Sequence, residues 1–284
     1  MNRRQAIAVI AATGAAAGPT AELTLRPPAR PAARLKQSVC RWPYDKIPLE
    51  DLCRAAKEIG LQSVELLGPE EWPVAIRHGL TCAMATGPTT IPVGLNRPDQ
   101  HDRILAESER LLPLVARAGL PNMIVFSGNR AGLADSEGLE NCVVGLKRMV
   151  PLAERWGVTI CMELLNSKID HHDYQCDHTP WGAELARRVG SPRFKLLYDI
   201  YHMQIMEGDV IRTIRDNFAF IGHFHTGGVP GRHELDETQE LQYRAIMNAI
   251  ADLGYTGFVG QEFIPSQGRD PIASLRHGFT VCDI

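Results

Sequence analysis

From Leu35 to the C-terminus, short β-rich runs alternate with amphipathic helical stretches, and this alternation constrains the fold more than any other feature of the chain. A strand whose helix returns the chain to a parallel neighbour is one βαβ unit, and its repetition implies a parallel sheet covered by helices. Eight such pairs can be counted. The candidate strands are 36–40, 62–66, 81–84, 123–126, 159–163, 195–199, 219–225 and 257–262. Helical patterns between them include 49–59, 103–118, 139–156 and 241–253, followed by Gly60, Gly119, Gly157 and Gly254. Glycine is the residue that most readily adopts the left-handed helix stop.

Eight strand–helix pairs are compatible with a doubly wound open sheet or with a closed (β/α)8 barrel. An open sheet would carry a phosphate-binding glycine motif after its first strand, and the run SVCRWPYDKIPLE has neither G-x-G-x-x-G nor a P-loop. The later strands instead end on side chains able to hold a metal: ICMEL on Glu163, LLYDIYH on Asp199, IGHFH on His225 and VGQEF on Glu262. Functional groups of a barrel gather at its C-terminal mouth, each carried by a different strand. The expectation is therefore a single α/β domain over residues 35–284, a (β/α)8 TIM barrel with parallel strands.

Spacing supports convergence: 36 residues separate 163 from 199, 26 separate 199 from 225 and 37 separate 225 from 262, each close to one β/α repeat. Period-two alternation puts Cys161, Leu197, His223 and Gly260 on the same strand faces as the four. Three carboxylates and an imidazole buried together call for a compensating cation. Oxygen-rich ligation with one imidazole and no thiolate suits Mn²⁺ or Mg²⁺, and is compatible with Co²⁺ or Zn²⁺. Four protein ligands on an octahedral ion leave two positions, which adjacent oxygens of an α-hydroxy carbonyl would fill.

Composition narrows the partners. A net charge of −3 gives no broad cationic surface for a nucleic-acid backbone, and 44% hydrophobic residues supply an ample core. The seven cysteines form no C-x-x-C pair, which points to buried reduced thiols. Arg3 and Arg4 precede the modestly apolar run 6–17, the layout of a twin-arginine export signal and too short to span a membrane, although Ala6 stands where an aromatic is common. Residues 24–34, rich in Pro, Ala and Arg, read as a linker. Periplasmic export of a chain without a membrane anchor is the expectation, with 1–34 as signal and linker, and a cytoplasmic chain with a plain Ala-rich N-terminal extension is the alternative; a homo-oligomer is compatible with the sequence.

The runs LYDIYHMQ, IGHFHTGGVPGRHE and GYTGFVGQEFIP together resemble the hydroxypyruvate isomerase-like branch of the xylose isomerase-like barrel superfamily, over nearly the whole span from Leu35 onward. The resemblance implies that Glu163, Asp199, His225 and Glu262 are metal ligands. It also implies that Glu163 and Glu262 form the acid/base pair and that His202 and Arg232 touch the substrate. The implied reaction is isomerisation of a small hydroxy-carbonyl compound through an enediolate, hydroxypyruvate to tartronate semialdehyde. Hydroxypyruvate isomerases often carry glutamine in place of His225, whereas related ketose 3-epimerases carry histidine. A ketose 3-epimerase or cyclitol dehydratase on the same metal site thus stays open, as does a non-catalytic exported sugar binder.

Other residues have competing readings. In the polar loop LNSKIDHHDYQCDH, Asn166 and Lys168 are candidates to reach substrate. His171 and His172 suggest either a second metal site or a solvated loop. Trp42 and Trp72 are either apolar walls at the mouth or packing for helices, and His223 is either a core histidine or a support for the ligands. An apurinic-site endonuclease shares the barrel but needs more histidine ligands than this chain places.

Overall fold

The computed structural model describes residues 34–284, so the expected export signal and linker lie, Arg34 apart, outside the described residues. The elements run β1 (Lys36–Cys40), α1 (Leu49–Ile59), β2 (Ser63–Glu65), α2 (Trp72–Arg77), α3 (His101–Arg117), β3 (Asn122–Val125), α4 (Asp135–Trp156) and β4 (Thr159–Glu163). They continue with α5 (Thr179–Val189), β5 (Phe194–Asp199), α6 (Ile200–Met206), α7 (Val210–Asn217), β6 (Ile221–Thr226), α8 (Tyr243–Asp252), β7 (Phe258–Gln261) and α9 (Pro271–Cys282). All strand pairs are parallel, in the order β2-β1-β7-β6-β5-β4-β3. Among the described residues no helix is long and apolar enough to cross a membrane.

The expected strand at 81–84 is not a regular strand, which corrects the count from eight to seven. Residues 81–85 still bridge the two ends of the sheet in parallel, Thr81 to Ser63, Ala85 to Leu67, and Ala85 to Met123 of β3. What breaks the ladder is side-chain competition for the backbone of Ala83: its N–H donates to Ser63 Oγ (2.8 Å) and its carbonyl accepts from Asn122 Nδ2 (2.8 Å). Those backbone groups are satisfied without a neighbouring strand, so the ring closes with one irregular member.

Helices follow their apolar stripes. In α1, Leu52, Cys53, Ala56 and Ile59 are buried, and the helix stops at Gly60 with φ +110°. The outer core packs such faces onto the sheet, whereas Met84, Ile124, Cys161 and Leu197 form a small apolar layer inside the ring. All seven cysteines are free and buried, as expected.

Candidate active site and metal centre

Each of the four strand-end residues reaches the mouth from a different strand: Glu163 closes β4, Asp199 closes β5, His225 lies on β6, and Glu262 follows β7 by one residue. Each offers one ligand atom, and all four atoms lie within 4.8 Å of one another. Nδ1 of His225 is 3.2 Å from Glu163 Oε1 and 2.7 Å from Glu262 Oε2. Asp199 divides its labour. One oxygen caps α6 by accepting from the N–H groups of Tyr201 (2.8 Å) and His202 (3.3 Å), while the other accepts from Arg232 (2.8 Å). The helix-capping role common for a strand-end aspartate and a place in the cluster are both present.

Beneath the cluster lies a residue that the sequence reading did not single out. Glu65, at the end of β2 and fully buried, takes His225 Nε2 at 2.8 Å and His223 Nε2 at 2.9 Å on the same oxygen, with Cys40 Sγ at 3.5 Å. A carboxylate on Nε2 fixes that nitrogen as the proton carrier and turns Nδ1 toward Glu163 and Glu262. Gly260 makes room for this contact. A Cβ there would sit 2.4 Å from Glu65 Oε1 and 2.8 Å from a ring carbon of His225. The available signal was positional: like the four others, Glu65 ends a strand, but the run VELL let it pass as interior.

Electrostatics divide the carboxylates. Burial of Glu163, with the charge of Glu262 beside it, raises its carboxyl above the usual range despite the hydrogen bond from His225. Burial works the same way on Glu262, but His225 and Arg232 outweigh it and hold this carboxyl well below that range. Burial pushes Asp199 up to about 7 against the opposing charge of Arg232. His225 is penalised by burial, yet Cys40, then Glu262 and the hydrogen bond to Glu163, hold it well above the ordinary histidine range; burial also pushes the Cys40 thiol up.

Compensating charge therefore comes in part from the chain itself. Arg232 donates to Asp199 Oδ2 and to Glu262 Oε2, and stacks over Trp42 and Tyr201 with ring distances of 5.3 and 5.1 Å. A proton on His225 Nδ1 and this guanidinium satisfy the oxygens of the cluster. Three carboxylate oxygens with one imidazole nitrogen form a donor set that fits a divalent cation.

The remaining expectations separate by position. Trp42 lies at the mouth, its indole N–H donating to Glu262 Oε1 at 2.7 Å, and it lines a cavity of about 390 Å³ together with Glu163, Glu262, Arg232 and His171. His202 and Asn166 are fully buried and do not line it. Asn166 Nδ2 lies 2.7 Å from His202 Nδ1, and an Arg232 nitrogen lies 2.9 Å from His202 Nε2. Burial first, then the charge of Arg232, holds His202 neutral, and a neutral ring has one lone pair for these two donors. The buried Nε of Arg232 lacks a protein partner.

Lys168 points elsewhere: its ammonium donates to the carbonyls of Ile205 (2.9 Å) and Met206 (3.0 Å) at the end of α6. Trp72 is packing material, buried with its N–H on the Leu67 carbonyl. His172 is exposed and near the Ser167 carbonyl, and among the described residues no metal-competent cluster includes it or His171. His223 supports the cluster through Glu65.

The comparisons agree with this architecture. Over 243 residues, the chain is 31% identical to a Homo sapiens protein named for hydroxypyruvate isomerase, covering 79% of this chain and 77% of that protein. Over 234 residues it is 26% identical to a Pectobacterium atrosepticum protein named 2-oxo-tetronate isomerase, covering 78% and 88%. Among solved structures, a family 2 AP endonuclease from Brucella melitensis superposes with a TM-score of 0.76 at 24% identity, covering 85% of this chain and 97% of that one; at this identity the likeness speaks for the fold. The xylose isomerase-like TIM barrel family model matches residues 32–281, and the chain belongs to that family.

Proposed function

We propose that this chain is a divalent-metal-dependent isomerase of hydroxy-carbonyl acids, with Glu163, Asp199, His225 and Glu262 as metal ligands and Glu163 and Glu262 as proton carriers. One observation carries the reading: the two glutamates line the cavity while their inner oxygens meet His225 Nδ1. Relatives named as isomerases of hydroxypyruvate and 2-oxo-tetronate support the same reaction class. When bound, the cation, Mn²⁺ or Mg²⁺ by donor type, polarises the substrate's adjacent oxygens and lowers the barrier to breaking the neighbouring C–H bond.

The chain's own groups do the rest. Glu163 and Glu262 approach the substrate from separate strands, and a carboxylate takes the proton from the hydroxyl-bearing carbon. The proton returns to the adjacent former carbonyl carbon while the hydroxyl proton passes to the other oxygen, so no oxidant or reductant is consumed. Arg232 lines the cavity beside the proposed ligands, and its charge there favours an acid over a neutral ketose, so that it holds the substrate carboxylate. Trp42 anchors Glu262 and keeps its outer oxygen oriented. His202 and Asn166 position Arg232 from below instead of touching substrate themselves.

The test is a metal-replete activity screen with product analysis over hydroxypyruvate and C3 to C6 ketoses. Isomerisation of hydroxypyruvate is expected, and Glu262→Gln should retain metal while losing at least about 10²-fold in turnover. Turnover confined to neutral ketoses, with inversion at one carbon, would replace the reading by the epimerase one.

A further inference from the structure

The cavity above the cluster is larger and more apolar than a three-carbon acid requires. Its volume is about 390 Å³. That lies within the roughly 300–1,000 Å³ range of pockets that bury drug-sized ligands. At about 30 Å³ per water it corresponds to roughly a dozen waters, of which an ion and hydroxypyruvate would displace fewer than half. Beyond the charged residues, the wall consists of Leu66, Ile91, Ile124, Phe126, Leu165 and the Trp42 ring, with Thr86, Gly87 and Thr89. Of the two threonines, Thr86 donates its hydroxyl to the Leu67 carbonyl, and Thr89 is buried, its oxygen accepting from the Phe126 N–H. Gly87 cannot carry a side chain to change that surface, because a Cβ would lie 1.8 Å from the Ile124 carbonyl oxygen.

Leu66 adds an independent observation. Its φ is +59°, a left-handed conformation that leucine adopts only under strain and that asparagine tolerates far better. The side chain so held lines the cavity and packs on the interior layer of Met84, Ile124, Cys161 and Leu197. An apolar residue therefore occupies a position whose backbone favours a polar one. Strain of this kind collects at functional sites.

We propose that the substrate is an α-hydroxy-carbonyl acid bearing an apolar substituent, branched aliphatic or phenyl-sized, which the Leu66, Ile91, Ile124 and Phe126 wall buries while Arg232 holds the carboxylate. The inference rests on the isomerase reading above. The step converts a 3-hydroxy-2-oxo acid into its 2-hydroxy-3-oxo isomer: the C–H bond at C3 breaks, one forms at C2, the hydroxyl proton changes oxygen, and the substituent on C3 is untouched.

The experiment uses the full chain loaded with Mn²⁺ and compares kcat/KM for 3-hydroxy-2-oxo acids whose C3 carries hydrogen, hydroxymethyl, isobutyl or benzyl. The isobutyl or benzyl acid should exceed the hydroxymethyl acid by at least about tenfold, the discrimination that apolar groups gain in such a pocket. Leu66→Asn should relieve the backbone, remain folded and bring that ratio to one or below through KM; Ile91→Asn, in a partly exposed loop, should act in the same direction. Turnover of hydroxypyruvate with no preference for the apolar acids, or an unchanged ratio in both variants, would overturn the substituent proposal and leave the isomerase reading intact. If no acid is turned over, the isomerase reading fails, and calorimetry with two unreactive acids decides the wall separately. There 3-phenyllactate should bind at least about tenfold more tightly than glycerate, and Leu66→Asn should abolish the difference; equal affinities would overturn the proposal.

Discussion

Glu65 shows what a single residue adds to a site that otherwise stands at the strand ends. The four proposed ligands were legible because each terminates a β-rich run and the runs recur at the spacing of one repeat. Glu65 was not, since a lone carboxylate between Val64 and Leu66 gives no hint that it meets two histidines from β6, 158 and 160 residues away in sequence. Its removal should be felt through His225. In Glu65→Gln the neutral amide no longer holds the Nε2 proton as strongly, and Mn²⁺ affinity should fall about 10- to 100-fold, the usual cost of losing a partner that orients a metal-binding histidine. Calorimetric titration of the metal-stripped protein measures this directly, and an unchanged affinity would remove Glu65 from the account. Lys168 marks the opposite case: a charged residue in a polar loop after Glu163 reads as able to reach substrate, and in the fold its ammonium donates to the carbonyl end of α6, a demand that only the folded path of the loop creates.

At the scale of elements, helix positions were the most legible, because apolar spacing and glycine stops are local signals; α1 occupies the residues its pattern indicates. The segment 81–84 reads as a strand from its β-rich run, and its irregularity comes from Ser63 and Asn122, which lie on other elements and take up the backbone groups of Ala83. Strand β7 shows how backbone proximity serves the site. Gly260 faces the ring interior where Glu65 and His225 meet, so Gly260→Ala should push them apart, lowering both the melting temperature and Mn²⁺ affinity while the helices remain formed. Circular dichroism melting with the same titration tests this. Wild-type values on both counts would mean that the contact has more room than the Cβ distances allow.

For the whole molecule, the ring of parallel strands was legible from the alternation of elements, and its functional asymmetry was not. One side of the interior carries Glu65, His223 and His225, and the other carries Met84, Ile124, Cys161 and Leu197. That division depends on which strands neighbour each other around the closed ring, information absent from any single run. On the proposed function, ion binding and global stability would be one equilibrium, because a cation beside Arg232 would offset the remaining repulsion among Glu163, Asp199 and Glu262. With Mn²⁺ at about a hundred times its dissociation constant, linkage adds about 2.7 kcal/mol of stability. In a chain of this size that is about 5–10 °C in Tm, reversed by chelator.

The most direct test of the central claim follows hydroxypyruvate by proton NMR in D₂O with the Mn²⁺-loaded chain, the chelated chain and Glu262→Gln. The loaded chain should form tartronate semialdehyde carrying solvent deuterium at C2, as expected when a carboxylate holds the migrating proton long enough to exchange. Chelation should abolish the reaction, and Glu262→Gln with metal retained should be slower by at least about 10²-fold. Undiminished isomerisation after chelation, or turnover by metal-loaded Glu262→Gln within about tenfold of the parent, would contradict the assignment of the ion and of the proton carrier.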